Sequence, residues 1–236
     1  IETEADIWIL LKHPHILEFM GVYALESEEY LVAPFAEHGA LPQFLDRHPE
    51  VDRGRLIVEI AEGLGYLHLC GIVHGDLKGN NVLISADGHA LICDFGLAKH
   101  VSSRTSTAIR GAGTLLWQSP ELLMDSSRRT FQSDVYAFGM TIYEILAGKL
   151  PFADTKGMAA FVLCVIRGER PATEPSDAPD GSSYLHLWGE AKKCWDGEPT
   201  RRPQILSVLR RLDGRRAERL VKSQQLTLEE SLTSSS

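Results

Sequence analysis

His74-Gly75-Asp76-Leu77-Lys78-Gly79-Asn80-Asn81-Val82-Leu83, followed after a hairpin pattern by Asp94-Phe95-Gly96, is the most informative stretch of the sequence. Asp87-Gly88 between the two runs is a strong two-residue hairpin signal, with Val82–Ser85 and Ala90–Ile92 as its strands. Closing that hairpin folds Asp94 back beside Asn81. The residue types are those that phosphoryl transfer from a nucleotide requires: oxygen ligands for divalent cations, a carboxylate to orient a hydroxyl, and a cation near the moving group. Asp76 can accept the hydrogen bond of a hydroxyl, Lys78 can reach a transferred phosphate, and Asn81 and Asp94 offer oxygen to Mg²⁺.

Outward from this stretch, apolar residues at Leu56, Ile57, Ile60, Ala61, Leu64 and Leu67 repeat at helical spacing, predicting a helix over 51–70 that Gly71 ends. Upstream, Ala5, Ile7, Trp8, Leu10 and Leu11 predict a short helix over 2–11, stopped by His13-Pro14. Two extended runs, Ile16–Leu25 and Tyr30–Phe35, predict a hairpin with a longer turn at 26–29. Downstream, helices are predicted at Phe131–Ala147, Thr155–Arg167, Ser183–Cys194 and Pro203–Leu212, with a Pro/Ser/Asp loop at 171–182. The Lys/Arg-rich run 201–222 carries the stripe Ile205, Val208, Leu209 and Leu212, and so reads as a core helix with a solvated face. After Leu220 the chain turns polar, and a mobile tail is expected.

The 236 residues carry 24 Lys and Arg against 32 Asp and Glu, a formal charge of −8, which argues against a broad nucleic-acid footprint. A 44% hydrophobic content is enough to bury a core. Cys70, Cys93, Cys164 and Cys194 lie far apart with no CxxC pair, so reduced, buried thiols are expected rather than a zinc site or disulfide framework. The apolar runs are too short to span a membrane and no leader opens the chain, so a soluble, cytoplasmic protein without direct membrane insertion is expected.

In five places the sequence resembles the eukaryotic protein kinases. Asp76 with Asn81 is similar to their catalytic loop, Asp94-Phe95-Gly96 to their metal-binding triplet, and Ser119-Pro120-Glu121 to a variant of their Ala-Pro-Glu. Ser133-Asp134-Val135-Tyr136-Ala137-Phe138-Gly139 resembles the buried helix that anchors the catalytic loop. Cys194-Trp195 with Pro199, Arg201, Arg202 and Pro203 resembles the segment whose Arg, here Arg202, pairs with Glu121. The catalytic-loop run and Cys194-Trp195 together look most like the tyrosine-kinase-like branch abundant in fungi.

The resemblance implies an α+β, two-lobe fold: a partial small lobe at 1–36, a mainly helical large lobe at 37–214 and a polar tail at 215–236. It implies a protein kinase that moves the ATP γ-phosphoryl group, with Mg²⁺, to Ser/Thr hydroxyls of protein substrates in signalling. Lys78 and Thr114 fit the Ser/Thr-specific pattern. Asp76, Lys78, Asn81 and Asp94 would be the catalytic residues, with Asn81 and Asp94 holding metal. Pro34, Phe35 and Ala36 would be the hinge that meets adenine, Ala33 the residue guarding a roomy back pocket, and Leu83 the apolar floor. His74 and Phe95 are expected to be packed residues, and Asp134 a buried hydrogen-bond acceptor.

Two departures stand out. Gly75 replaces the Arg that usually precedes the catalytic Asp, so a phosphate on the segment bearing Ser102, Ser103, Thr105, Ser106 and Thr107 would lack its usual guanidinium, and activity is expected not to depend on phosphorylation there. Glu4, nine residues before His13, is the Glu that should pair with a strand lysine, and neither that lysine nor the glycine-rich phosphate cover is present. The chain therefore reads as a truncated kinase domain, the alternative being a catalytically silent scaffold that binds protein partners.

Overall fold

A computed structural model describes residues 2–100, 114–124, 128–171 and 183–233. The architecture is α+β, as expected: small sheets and a mainly helical large lobe. Its centre is helix α5, Phe131–Ala147, in which the residues from Ser133 to Leu146 are buried. Apolar residues face every side of it, as in a helix that lies inside the molecule, and its few polar side chains are buried with them. Thr130 and Ser133 form a reciprocal cap at its start, and Gly148, at φ 63°, ends it.

Around α5 pack α3 (Arg53–Leu69), α7 (Leu185–Cys194) and the segment Gly79–Asn81, with α8 (Ile205–Leu212) lying on α3. Asp52 caps α3 by accepting the Arg55 amide at 2.9 Å. The rings of Tyr143, Trp188 and Trp195 meet where α5 faces α7, with centroids 5.3–6.5 Å apart. Short helices α1 (Glu2–Trp8), α2 (Leu41–Arg47), α4 (Pro120–Met124) and α6 (Met158–Ile166) complete the set before the C-terminal α9 (Gly214–Thr233). Apart from α2 and α4, each of α1 to α8 falls within or on a predicted helix.

Strands β1 (Gly21–Leu25) and β2 (Glu28–Val32) pair antiparallel, from Gly21 opposite Val32 to Leu25 opposite Glu28. The turn is therefore only Glu26-Ser27, with Glu26 at φ 55°, and not the longer loop predicted over 26–29. Polarity misled that reading, because Glu28 and Glu29 sit in an exposed strand where charge costs nothing. Ile16–Met20 is not strand either. It reaches the large lobe through an isolated bridge, in which the Leu17 amide donates to the Ile92 carbonyl and the Ile92 amide to the His15 carbonyl. β5 (Val82–Ile84) and β6 (Ala90–Ile92) form the predicted hairpin, with β3 (Gly39–Ala40) added to β5. β4 (Ile72–Val73) pairs with β7 (Lys99–His100).

The expectation of a mobile tail after Leu220 is corrected: the chain is helical through Thr233. Asp213 breaks the run after α8 and caps α9, its Oδ1 accepting the Arg216 amide at 3.1 Å. Ala217 and Leu220, three residues apart, are then buried on the side chains below them, with a Leu220 methyl beside Gly65 of α3. Among the described side chains of α9, Ala217 and Leu220 are the buried apolar ones, and they lie on one face. Cys93 and Cys194 are buried as expected, whereas Cys70 and Cys164 are only half-buried. Among the described residues no helix is long and apolar enough to cross a membrane.

Candidate active site

The loop between β4 and β5 is held from below by two acids on α5. Asp134 Oδ2 accepts the His74 amide and Oδ1 the Gly75 amide, each at 2.8 Å, and His68 Nε2 lies 3.0 Å from Oδ2. Glu144, ten residues on along the same helix, accepts the Gly79 amide at 2.9 Å and the Trp117 indole N–H at 3.2 Å. A Cβ on Gly79 would stand 2.5 Å from the Glu144 carboxylate, so only glycine allows this approach. Burial pushes the Glu144 carboxyl up to about 7, against the pull of the two N–H donors and of Lys78.

Glu144 escaped the sequence reading, although its signal is present: one acid in the apolar run Tyr143-Glu144-Ile145-Leu146, ten positions and nearly three turns from Asp134. Asp134 is the buried acceptor that was expected, and His74 is a packed residue, its Nε2 3.0 Å from the Cys93 carbonyl.

So anchored, the loop gathers three of the predicted side chains. Lys78 Nζ donates to Asp76 Oδ2 at 2.7 Å, and Asn81 Nδ2 donates to the same oxygen at 3.0 Å and to the Asp76 carbonyl at 2.8 Å. Both amide hydrogens of Asn81 are thereby used, which leaves its carbonyl oxygen for another group. Asp76 Oδ1 is buried with no hydrogen-bond partner among the described residues. An unsatisfied buried carboxylate oxygen is costly unless a ligand completes it.

Asp94 follows from the β5–β6 hairpin, through the Cys93 amide that donates to the Asn81 carbonyl at 3.0 Å. It lies at φ 64°, exposed, while Phe95 is fully buried between Trp8 of α1 and His74, with ring centroids 5.6 Å from each. That packing joins α1 to the triplet and brings in Glu4. Asp94 Oδ1 and Glu4 Oε2 both come within 3.5 Å of where a Cβ on Gly96 would stand. Burial, and then the charge of Asp94, hold the Glu4 carboxyl above its ordinary value, while the Phe95 amide pulls it down. Two carboxylates converging on a face without a side chain suit a cation.

The remaining predicted residues form a second group. Ala33, half-buried, packs on the core, whereas Phe35 is 82% exposed and only Ala36 of the three hinge residues is buried. The Ala36 carbonyl accepts the Gly39 amide, and Ala40 then pairs with Leu83, so β3 ties the segment 34–36 to the half-buried Leu83. Glu4 joins the Asp94 side of the site rather than this one. The segment Ser102–Thr107 lies outside the described residues, as does the side chain of Thr114.

Farther down, Arg202 holds Glu121 through two parallel hydrogen bonds of 2.7 and 2.8 Å, the pairing that the resemblance implied. The charge and hydrogen bonds of Arg202 keep the Glu121 carboxyl below its ordinary value in spite of its burial.

Comparison with known proteins finds relatives over nearly the whole chain. A family profile described as protein tyrosine and serine/threonine kinase matches residues 1–212. The chain is 34% identical over 218 residues to mitogen-activated protein kinase kinase kinase 13-A of Xenopus laevis, covering 90% of this chain and 22% of that protein. It is 33% identical over 224 residues to receptor-interacting serine/threonine-protein kinase 1 of Homo sapiens, covering 87% and 33%. It is also 33% identical over 215 residues to mitogen-activated protein kinase kinase kinase 12 of Rattus norvegicus, covering 90% and 23%. The chain thus spans between about a fifth and a third of the length of these relatives.

Proposed function

The chain belongs to the protein tyrosine and serine/threonine kinase family, and from that premise we propose that it transfers the γ-phosphoryl group of ATP to Ser/Thr hydroxyls of protein substrates in signalling. The observation that carries the reading is the knot of Asp76, Lys78 and Asn81. Asp76 Oδ1, buried and unsatisfied, accepts the hydrogen bond of the substrate hydroxyl and aims its oxygen. Lys78, released from Asp76 Oδ2, places its charge on the transferred phosphoryl group.

Asn81, through its carbonyl oxygen, and Asp94 are the residues that would hold Mg²⁺, which supplies charge neutralisation on the phosphates when bound. Glu4 orients a lysine, and the segment 33–36 with Leu83 frames the purine. In this reading the lysine and a Gly-x-Gly-x-x-Gly lie outside the 236 residues, and the sequence on the N-terminal side of Ile1 checks it. We divide the chain into a small-lobe part at 1–36, a large lobe at 37–214 and α9 beyond it. The tyrosine-kinase-like branch, in its fungal form, a cytoplasmic location and the absence of a nucleic-acid partner belong to the same proposal.

The test is phosphotransfer to a Ser/Thr protein substrate by the complete protein. Asp76→Asn, which keeps size and loses the negative charge, is expected to lower kcat by about 10²–10⁴-fold while the melting temperature stays within about 2 °C of wild type. A complete protein that folds, binds no nucleotide and transfers no phosphate fits the scaffold reading instead.

A further inference from the structure

Helix α9 lies beyond the residues that the family profile matches, which end at 212, yet it is pinned to the joint between α1 and β1. The pin is made at the buried His15. Its Nδ1 lies 3.0 Å from the Ala90 carbonyl, an oxygen that can only accept, so Nδ1 carries the hydrogen. Its Nε2 lies 3.2 Å from Arg216 Nη1, a nitrogen that can only donate, so Nε2 offers a lone pair. Both contacts together require the neutral ring. Arg216 Nη1 also donates to Glu62 Oε2 of α3 at 2.7 Å, and that oxygen stands 3.7 Å from His15 Nε2.

A proton on Nε2 turns this acceptor into a donor and sets a second cation against the guanidinium, with Glu62 within reach of both. The ring is poorly placed to yield. The His15 carbonyl accepts the Ile92 amide of β6, and a Cβ on Gly63 of α3 would stand 2.8 Å from the His15 carbonyl oxygen and 3.3 Å from its Cβ, so the joint is seated closely on both elements. The described part of α9 rests instead on Ala217 and Leu220. The other charges around the ring are already engaged. Glu59 of α3 holds the Ala90 amide, Arg55 and His89, whose ring lies 6.1 Å from that of His15. Asp213 is 3.6 Å from Arg216 Nε, and His13, with ring centroids 5.7 Å apart, stays neutral down to about 4. Burial, helped by Arg216 and opposed by Glu59, the Ala90 carbonyl and Glu62, holds the His15 ring below its ordinary value. The neutral pin is therefore whole above pH 6.5 and is lost as pH falls below it.

We propose that α9 is a proton-released strap: with His15 neutral, Arg216 bridges His15 and Glu62 and holds α9 on the joint, and a proton on His15 Nε2 turns Glu62 to the ring, displaces the guanidinium and lets α9 lift. The strap bears on the joint that carries α1 and does not rest on phosphotransfer, so its failure and that of the kinase reading are seen in different experiments.

The complete protein is followed by hydrogen–deuterium exchange and mass spectrometry at pH 7.5 and 5.0, with each peptide corrected for its intrinsic rate and α8 as the internal reference. Protection of α9 relative to α8 is expected to fall by about tenfold at pH 5.0, within the roughly thirtyfold that one proton allows about 1.5 units below an ordinary value of 6.5. His15→Gln, which keeps an acceptor near Nε2 and takes up no proton, is expected to hold α9 equally at both pH values. Arg216→Gln is expected to lower the protection of α9 at pH 7.5 and to abolish the fall, and it carries the test if His15→Gln does not fold. An α9 equally protected at both pH values in wild type, one unprotected at both, or a fall that either variant retains overturns the proposal.

Discussion

Glu144 and His13 pull the pH dependence of stability in opposite directions. Burial raises the Glu144 carboxyl from 4.5 to about 7, so the folded chain binds a proton that the unfolded chain has already lost. Stability contributed at this site is whole below pH 4.5 and falls as pH rises toward 7, by on the order of 2 kcal/mol. Glu144→Gln is therefore expected to gain in melting temperature over wild type as pH rises from 5 to 8, with little difference at pH 4.5. A difference that does not change with pH would mean that Glu144 is ionised throughout. His13 behaves in the reverse sense. Burial, and then His15, lower it from 6.5 to about 4, and its neutral ring stacks on Tyr66 at 4.8 Å. Its contribution is present above pH 6.5 and is lost as pH falls toward 4. His13→Phe, which keeps the stack, is expected to flatten that acid limb in a thermal melt recorded between pH 4 and 7.

At the scale of elements, α9 ties the polar C-terminal segment to the joint before β1. Arg216 donates to Glu62 of α3 at 2.7 Å and lies 3.2 Å from His15 Nε2, so one side chain spans three parts of the chain. Leu220 supplies the apolar contact. Leu220→Ala is expected to cost about 2–4 kcal/mol in urea unfolding, as the loss of a buried leucine does; a cost below about 0.5 kcal/mol would show that α9 is not docked in solution. Elements of this kind separate what the sequence discloses from what it does not. The helices at 53–69 and 131–147 were legible because long apolar periodicity and caps agree. The helix at 214–233 was not, because its docking rests on Ala217 and Leu220, too few apolar residues to stand out among Arg, Lys, Glu and Ser. The hairpin at 21–32 was found, but its turn was placed too long, since exposure rather than conformation made Glu28 and Glu29 polar.

For the molecule as a whole, the candidate site lies where β4, β5 and β6 bring the loop at 74–81 up to α1. Binding of Mg²⁺-ATP to the folded state alone is expected to raise the melting temperature of the complete protein, with about 2.7 kcal/mol of stabilisation at a hundredfold excess over Kd. The rise is expected to require Mg²⁺ and to disappear in Asp94→Ala. A rise unchanged in that variant would remove Asp94 from the metal-holding pair.

The amino-acid sequence alone determined the order and spacing of Asp76, Lys78, Asn81 and Asp94, because local turn and hairpin rules bring these residues together over fewer than twenty positions. Only the tertiary structure decided what holds and surrounds them. Glu144 and Asp134 reach the loop from a helix more than fifty residues away, Glu4 converges on Asp94 through the packing of Trp8 on Phe95, and Arg129 fills the space left by Gly75. These contacts depend on which faces of distant elements meet. That is set by the burial of the whole core, and no window of sequence contains it.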